Sequence, residues 1–127
     1  MLEDHIKPQL NIRTRSPATP ELHGNTPLYK RVPSRDEDGK PLSDFMMLIP
    51  GLRNLGRVLF NDRVAGIQAV INSHREVVFV DLNVPINILW ISLKPRIGLI
   101  SQIAGEIQHR IPEALLIAPD HRFASKG

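Results

Sequence analysis

The chain contains no cysteine, and this absence excludes disulfide bonds, thiolate metal sites, iron–sulfur clusters and cysteine nucleophiles. It also lacks any run of about 18 consecutive apolar residues, the length that a membrane-spanning helix requires. Its first residues include the acidic pair Glu3-Asp4 where a signal peptide has a basic start and an apolar stretch. These absences favour a cytoplasmic protein without a membrane span.

Charge of one sign is also scarce, since 16 Lys and Arg residues face 13 Asp and Glu residues and the formal net charge is +3. A dedicated nucleic-acid-binding domain carries a stronger basic excess, so nucleic acid is not the expected partner. With 127 residues, of which 42% are hydrophobic, the chain has the size and apolar content of a single globular domain.

Proline is concentrated in the first third of the chain. The six prolines there are Pro8, Pro17, Pro20, Pro27, Pro33 and Pro41. Their spacing interrupts any full helix, and the few large apolar side chains cannot offset the entropy cost of ordering the backbone. We therefore predict that residues 1–43 form a flexible, disordered arm that ends in a turn at 38–41. Small apolar groups in the arm, one around Leu10 and one around Leu28, are candidates for docking into a groove.

Between residues 44 and 120 the hydrophobic pattern predicts one domain with elements in the order βαββαβ. The predicted strands are 44–49, 77–82, 88–93 and 114–118, and the predicted helices are 54–72 and 96–111. Asn61-Asp62 could cap a new helix, so the first helical region fits one helix or two short ones. In the second helix the predicted apolar stripe is Ile97, Ile100, Ala104, Ile107 and Ile111. Residues 121–127 are predicted to be a polar tail.

This order of elements predicts an α+β fold of the ferredoxin-like plait type. Its sheet would have four antiparallel strands with the first and third in the centre, and both helices would lie on one face. In the predicted hairpin Leu82 lies opposite Asn87 and Val80 lies opposite Leu89. The aliphatic face of the hairpin would then lie under the helices, and the other face would be uncovered.

The uncovered face carries the candidate interaction surface, which consists of Phe79, Asp81, Ile88, Trp90 and Lys94. A monomer rarely exposes so large an apolar surface to water. The preferred hypothesis is therefore a non-enzymatic protein-interaction or regulatory module that forms a homodimer or joins a larger complex, although the arm could also cover this face. Stacking of single-stranded RNA bases on the sheet is a further alternative, for which the sequence has neither the basic-Gly-aromatic pattern nor a basic rim.

Residues with catalytic or metal-binding chemistry are scattered. The histidines are His5, His23, His74, His109 and His121, and none of them share the spacing of metal ligands. We interpret each as a surface histidine in water, with His74 as a candidate for pH sensitivity at an edge. The serines lack a nucleophile elbow. We therefore predict no enzyme activity, no catalytic residue, no metal site and no cofactor.

Two families of ferredoxin-like domains resemble parts of the chain. The turn Pro50-Gly51-Leu52, between a strand and a helical region, resembles the turn of ACT-type regulatory domains, which pair through their sheets and bind small ligands such as amino acids. This resemblance implies a ligand-sensing alternative with Pro50, Gly51 and Leu52 as the matching positions. The same turn, together with 76–82, also resembles heavy-metal-associated domains, but their paired-cysteine metal loop has no counterpart in a chain without cysteine.

Overall fold

The computed structural model describes residues 8–14, 35 and 38–117. Its five strands are β1 Leu10–Arg13, β2 Ser43–Leu48, β3 Val77–Asn83, β4 Ile88–Leu93 and β5 Leu115–Ile117. Its two α-helices are α1 Arg57–Asn72 and α2 Leu99–Arg110, and short 3-10 turns occupy Leu52–Asn54 and Val84–Ile86. The predicted tail, 121–127, and most of the predicted arm lie outside the described residues.

The strands form a mixed sheet in the order β1-β3-β4-β2-β5. Strand β4 pairs antiparallel with β3 and β2, and β2 pairs antiparallel with β5, whereas β1 pairs parallel with β3. The predicted α+β class with two helices is confirmed. The prediction of four purely antiparallel strands is wrong, because part of the proline-rich arm adds a fifth strand at the edge beside β3.

The hydrophobic core lies between the helices and one face of the sheet. Alternate residues of the strands point into it, including Phe45 and Met47 from β2 and Leu89 and Ile91 from β4, all at most 2% exposed. Strand geometry explains this pattern, since successive side chains point to opposite faces. The helices contribute residues at helical spacing, such as Ile103 and Ile107 of α2.

Helix α2 begins later than predicted, and this changes the membership of its apolar stripe. Gly98 at its N-terminus has φ +81, a left-handed conformation that glycine adopts without a steric penalty. Ile97 therefore precedes the helix and is fully exposed, whereas Leu99 is buried in its place. The prediction that Ile97 belongs to the buried stripe is wrong.

Helix α1 is continuous, so the break allowed at Asn61-Asp62 does not occur. Both residues are exposed and stay within the helix. Gly66 is buried where α1 meets α2, and a Cβ atom built on it would lie 3.5 Å from the Cβ of Arg110. This distance shows that α1 approaches α2 closely at Gly66. Glycine has a weak helix propensity, and packing of α1 against α2 compensates for it here.

The hairpin of β3 and β4 has a register that differs by two residues from the predicted one. Leu82 lies opposite Leu89 and Asn83 lies opposite Ile88. Asn87 closes the turn with φ 61, a conformation that asparagine tolerates better than most residues. A shift of two preserves the side on which each residue points, so the aliphatic face still meets the helices.

Candidate interaction surface

The sheet face opposite the helices is called the open face here. By register and alternation, it carries Asn11, Arg13, Asp44, Met46, Leu48, Phe79, Asp81, Asn83, Ile88, Trp90, Ser92, Leu115 and Ile117. Its chemistry divides along the sheet. Polar side chains dominate near β1 and β3, and apolar side chains dominate near β2 and β5.

The first part of the open face, the polar patch, consists of Arg13, Asp81, Asn83, Trp90 and Ser92. Its centre is an ion pair between β1 and β3, in which Nη2 of Arg13 lies 2.9 Å from Oδ2 of Asp81. The Nε–H group of Arg13 also donates to both carboxylate oxygens, at 3.0 and 3.2 Å. The side chain of Asp81 is 3% exposed and that of Arg13 is 31% exposed. Burial makes this pair expensive to break, because an unpaired carboxylate would remain out of water.

Asp81 was predicted as part of the interaction surface; its side chain is 3% exposed and accepts hydrogen bonds from Arg13. The sequence reasoning also missed Arg13. A signal for it existed, since Leu10-Asn11-Ile12-Arg13 alternates apolar and polar residues as a strand does. This pattern is only four residues long and lies close to Pro8. The proline-rich composition of the arm therefore decided the prediction, and no strand was predicted there.

Three polar atoms of the polar patch are buried without a hydrogen-bond partner among the described residues. They are Oδ1 of Asn83, Nε1 of Trp90 and Oγ of Ser92. Ser92 is 1% exposed and Asn83 is 6% exposed. Buried polar groups in folded proteins almost always have hydrogen-bond partners, and a buried group left without one costs about 1–3 kcal/mol. The patch therefore has the donors and acceptors of a surface that meets another polar group.

The second part of the open face, the apolar patch, consists of Met46, Leu48, Ile88, Leu115 and Ile117. It ends at β5, where Leu115 is 52% exposed. On the opposite, helix side of the same strand, Leu116 is 38% exposed. In the described part of the chain, no strand pairs with the outer edge of β5. This edge has both unpaired backbone groups and exposed leucines, which together form a template for strand pairing.

The remaining predicted interaction residues lie at different places. Phe79 and Trp90 are half-buried on the open face and Ile88 is half-buried in the apolar patch. Lys94 follows the end of β4, where its backbone N–H donates to the carbonyl of Glu76 at 2.9 Å. By register, four of the five predicted residues lie on the open face: Asp81 and Trp90 belong to the polar patch, Ile88 belongs to the apolar patch, and Phe79 lies outside both.

The predicted ligand turn at Pro50-Gly51-Leu52 has a defined geometry. Gly51 has φ +80, and the backbone N–H of Arg53 donates to Oδ1 of Asn87 at 2.8 Å. Leu52 is 1% exposed, so it anchors the turn in the core and its side chain is not available to a ligand. Pro50 and Gly51 are exposed.

His74 is 8% exposed, and the interpretation of this residue as a surface histidine in water is wrong. Its Nε2 lies 2.8 Å from Oε1 of Glu106, which joins the end of α1 to α2. This hydrogen bond is the main cause that lowers the pKa of Glu106, and Gln102 and Arg110 lower it further. His109, in contrast, is exposed as predicted.

The contact between the two helices also contains an open groove. Its lining residues are Val70, Ser73, Gln102, Gly105, Glu106, His109 and Arg110. Across the described residues, no three His, Asp or Glu side chains converge as metal ligands. No helix in the described ranges is both long enough and apolar enough to span a membrane.

Comparisons with protein-family models, with curated proteins and with solved structures find no match for this chain. The functional argument therefore rests on the chemistry of the two patches.

Proposed function

We propose that this chain is a non-enzymatic interaction module that associates with a second copy of itself through the apolar patch and the adjoining edge of β5. The observation that carries this proposal is the exposure of Leu115 and Leu116 on an edge strand that has no described neighbour. Full burial of one leucine side chain contributes about 1.5–3 kcal/mol. Two partly exposed leucines beside unpaired backbone groups therefore favour association.

The composition of β5 supports pairing over solvation. Natural proteins protect edge strands by shortness, charged side chains, proline or bulges; β5 is short, with three residues, but Leu115-Leu116-Ile117 contains no charged residue and no proline. An added strand would extend the sheet by backbone hydrogen bonds, and pockets for alternate side chains would give specificity. A second copy brings the same edge and the same apolar patch, so the contact can be self-complementary.

We also propose that β2–β5 and the two helices form a ferredoxin-like plait to which β1 is added. The strand order β3-β4-β2-β5, with β2 and β4 inside, supports this assignment. In such a plait one face of the sheet lies under the helices and the other is free for contacts. The open face of this chain is that second face.

Sedimentation of the full chain at increasing concentration tests the self-association. We expect the wild type to form dimers and Leu115→Asp to remain monomeric, because the substitution places a charge in the contact. Ile97→Asp is the matched control, since Ile97 is fully exposed but lies outside the apolar patch. A wild type that stays monomeric at high protein concentration would contradict the proposal, as would equal loss of association in both variants.

A second candidate is ligand sensing of the ACT type at the turn 50–52. The observation in its favour is the fixed geometry of this turn. Oδ1 of Asn87 accepts a hydrogen bond from the backbone N–H of Arg53 at 2.8 Å. The backbone carbonyl of Asn87 accepts another from the N–H of Ile49, also at 2.8 Å. A small metabolite at about 100 times its Kd should stabilise the fold by about 2.7 kcal/mol. A thermal-shift screen of amino acids that moves no melting temperature would count against this candidate.

A further inference from the structure

We infer that one end of the fold docks on a membrane surface that contains anionic lipids. This end, called the basic end here, consists of Arg53, Arg57, Val58, Leu59 and Ile86. The docking goes beyond the proposed function, which uses the apolar patch and the edge of β5. Three features of the basic end support it: the convergence of its residues, the exposure of its apolar side chains and the sign of its charge.

The basic end forms where β2 and β3 end, on either side of Ile88 at the start of β4. The two 3-10 turns that follow these strands contact each other. Arg53 of the first turn donates from Nη1 to the carbonyl of Pro85 in the second turn, at 3.3 Å. This hydrogen bond holds Arg53 beside Ile86, and Arg57 follows as the first residue of α1.

The apolar side chains of the basic end are exposed to water. Val58 is 81% exposed, Leu59 is 51% exposed and Ile86 is 50% exposed. Exposed apolar side chains that lie together mark contacts with proteins or membranes. A bilayer accepts protruding apolar side chains at its headgroup boundary without a matching pocket, whereas a folded protein must provide a pocket for each of them. These side chains therefore favour a membrane over a protein as the partner.

The charged side chains of the basic end are arginines. The stretches that contain its residues, 45–61 and 82–105, have no Asp or Glu. Arg53 and Arg57 are exposed, and no ion pair with another described residue neutralises either of them. The first turn of α1 also lacks an acidic residue and a side-chain cap, so the positive end of the helix dipole adds to the charge of Arg57.

The acidic side chains on adjoining elements are already paired. Asp62, further along α1, lies 3.3 Å from Arg63, and Glu113 lies 2.9 Å from the same arginine. Asp81 pairs with Arg13. The basic end therefore combines unneutralised positive charge with exposed apolar side chains, and both contribute to binding at an anionic lipid surface.

Vesicle sedimentation of the full chain at low ionic strength tests the docking. We expect binding to vesicles of phosphatidylserine and phosphatidylcholine in equal parts. Binding to vesicles of phosphatidylcholine alone should be weaker by about tenfold or more, because both arginines then lose their anionic partners. Added salt should weaken the binding to the anionic vesicles. Equal binding to both kinds of vesicle, or binding to neither, would overturn the inference.

Arg57→Glu separates docking from stability. It should weaken binding to the anionic vesicles by about tenfold or more, because repulsion replaces attraction. Its melting temperature should equal or exceed that of the wild type, because an acidic residue in the first turn of a helix is favourable. Arg75→Glu is the matched control, since Arg75 is exposed just before β3, at the opposite end of the sheet. Equal weakening by both substitutions would overturn the basic end as the contact.

A label at a single cysteine distinguishes a bilayer from an acidic protein. Because the chain has no cysteine, Val58→Cys can carry one dye whose emission depends on polarity. On anionic vesicles this emission should shift to shorter wavelength, whereas the same dye on Ile97→Cys should not respond, since Ile97 is fully exposed beyond the far end of β4. Polyglutamate should shift neither dye. Vesicle binding without a shift at Val58 would overturn the inference, and an equal shift with polyglutamate would overturn it in favour of an acidic protein.

Discussion

The two edge strands of the sheet, β1 and β5, differ in the side chains that they carry. At one edge, β1 pairs with β3 and its Arg13 is held by a buried carboxylate, so the edge strand is fixed by a specific charge pair. At the other edge, β5 has three apolar residues and two exposed leucines. An ion pair in this position fixes one register and one partner, whereas an apolar edge accepts any strand with a matching surface.

This difference indicates that the two edges have different roles. The β1 edge is formed by a segment of the chain itself. The ion pair between Arg13 and Asp81 stabilises that segment against β3. Among the described residues the β5 edge has no such pair, and we propose it as the place where another chain adds to the sheet. The following predictions test whether the contrast is real, first through stability and then through association.

Arg13→Ala should give the largest loss of stability, because it leaves the carboxylate of Asp81 buried and unpaired. Breaking a buried pair costs about 3–5 kcal/mol, and the partial exposure of Arg13 places the expected loss near the lower end. Urea unfolding measures this loss. Arg63→Ala is the matched control, because the carboxylate left behind on Glu113 is 32% exposed whereas that of Asp81 is 3% exposed, so its loss should cost about 1 kcal/mol or less.

The pair is best isolated by combining Arg13→Ala with Asp81→Asn. If the ion pair fixes the β1 edge, the double variant should recover part of the stability that Arg13→Ala loses, because no buried charge remains. A cost for Arg13→Ala that equals the cost for Arg63→Ala would mean that the two edges do not differ in this way.

The sequence predicted much of the domain because its elements carry strong local patterns. Each of the strands β2 to β5 is an apolar run between turn residues, and the prediction for β4, 88–93, matches the structure residue by residue. The sides on which Phe79 and Trp90 point were also predicted correctly. This part depends only on alternation along a strand, and a register shift of two residues leaves it unchanged.

The features that escaped prediction depend on partners distant in the chain. Strand β1 exists because β3 offers it a hydrogen-bonding edge and Asp81 offers Arg13 a carboxylate, and the two members of this pair are 68 positions apart. His74 is buried because Glu106 of another helix approaches it. Single-sequence periodicity contains no information on such contacts, so composition placed β1 in a disordered arm and His74 on the surface.

Leu116→Lys should weaken association with little effect on the fold. Lysine on an edge strand is a device by which natural proteins prevent edge pairing. We expect the dimer to weaken by about tenfold or more, which corresponds to about 1.4 kcal/mol, as measured by sedimentation equilibrium. Urea unfolding of the monomer should change by less than about 0.5 kcal/mol, as is usual for surface sites. An unchanged dimer affinity would remove β5 from the interface.

Glu106→Gln tests a hydrogen bond that belongs to neither edge, the contact between His74 and Glu106. The hydrogen bond from His74 lowers the pKa of Glu106 below its ordinary value of 4.5. A carboxyl group that binds protons less readily in the folded chain stabilises the fold above this value, and the contribution is lost as the pH falls through the lowered pKa. We expect Glu106→Gln to melt closer to the wild type below pH 4.5 than at neutral pH.

The control for this pH dependence is the same substitution, Glu106→Gln, in a His74→Gln background. There the effect of Glu106→Gln should vary less with pH, because the main cause that lowers the pKa of Glu106 has been removed. Equal pH profiles with and without His74 would show that the contact between His74 and Glu106 does not contribute to acid sensitivity.

Ile12→Lys should have the smallest effect, and it is the sharpest comparison of the two edges. Ile12 on β1 and Leu116 on β5 both lie on the helix side of an edge strand, and they are 41% and 38% exposed. Exposure alone therefore predicts the same result for both lysine variants. If β5 is the edge that joins another chain and β1 is the edge that the chain closes itself, Ile12→Lys should leave the dimer affinity unchanged while Leu116→Lys weakens it. Equal weakening by the two substitutions would mean that both edges contact a partner, and the assignment of one edge to the chain itself would fail.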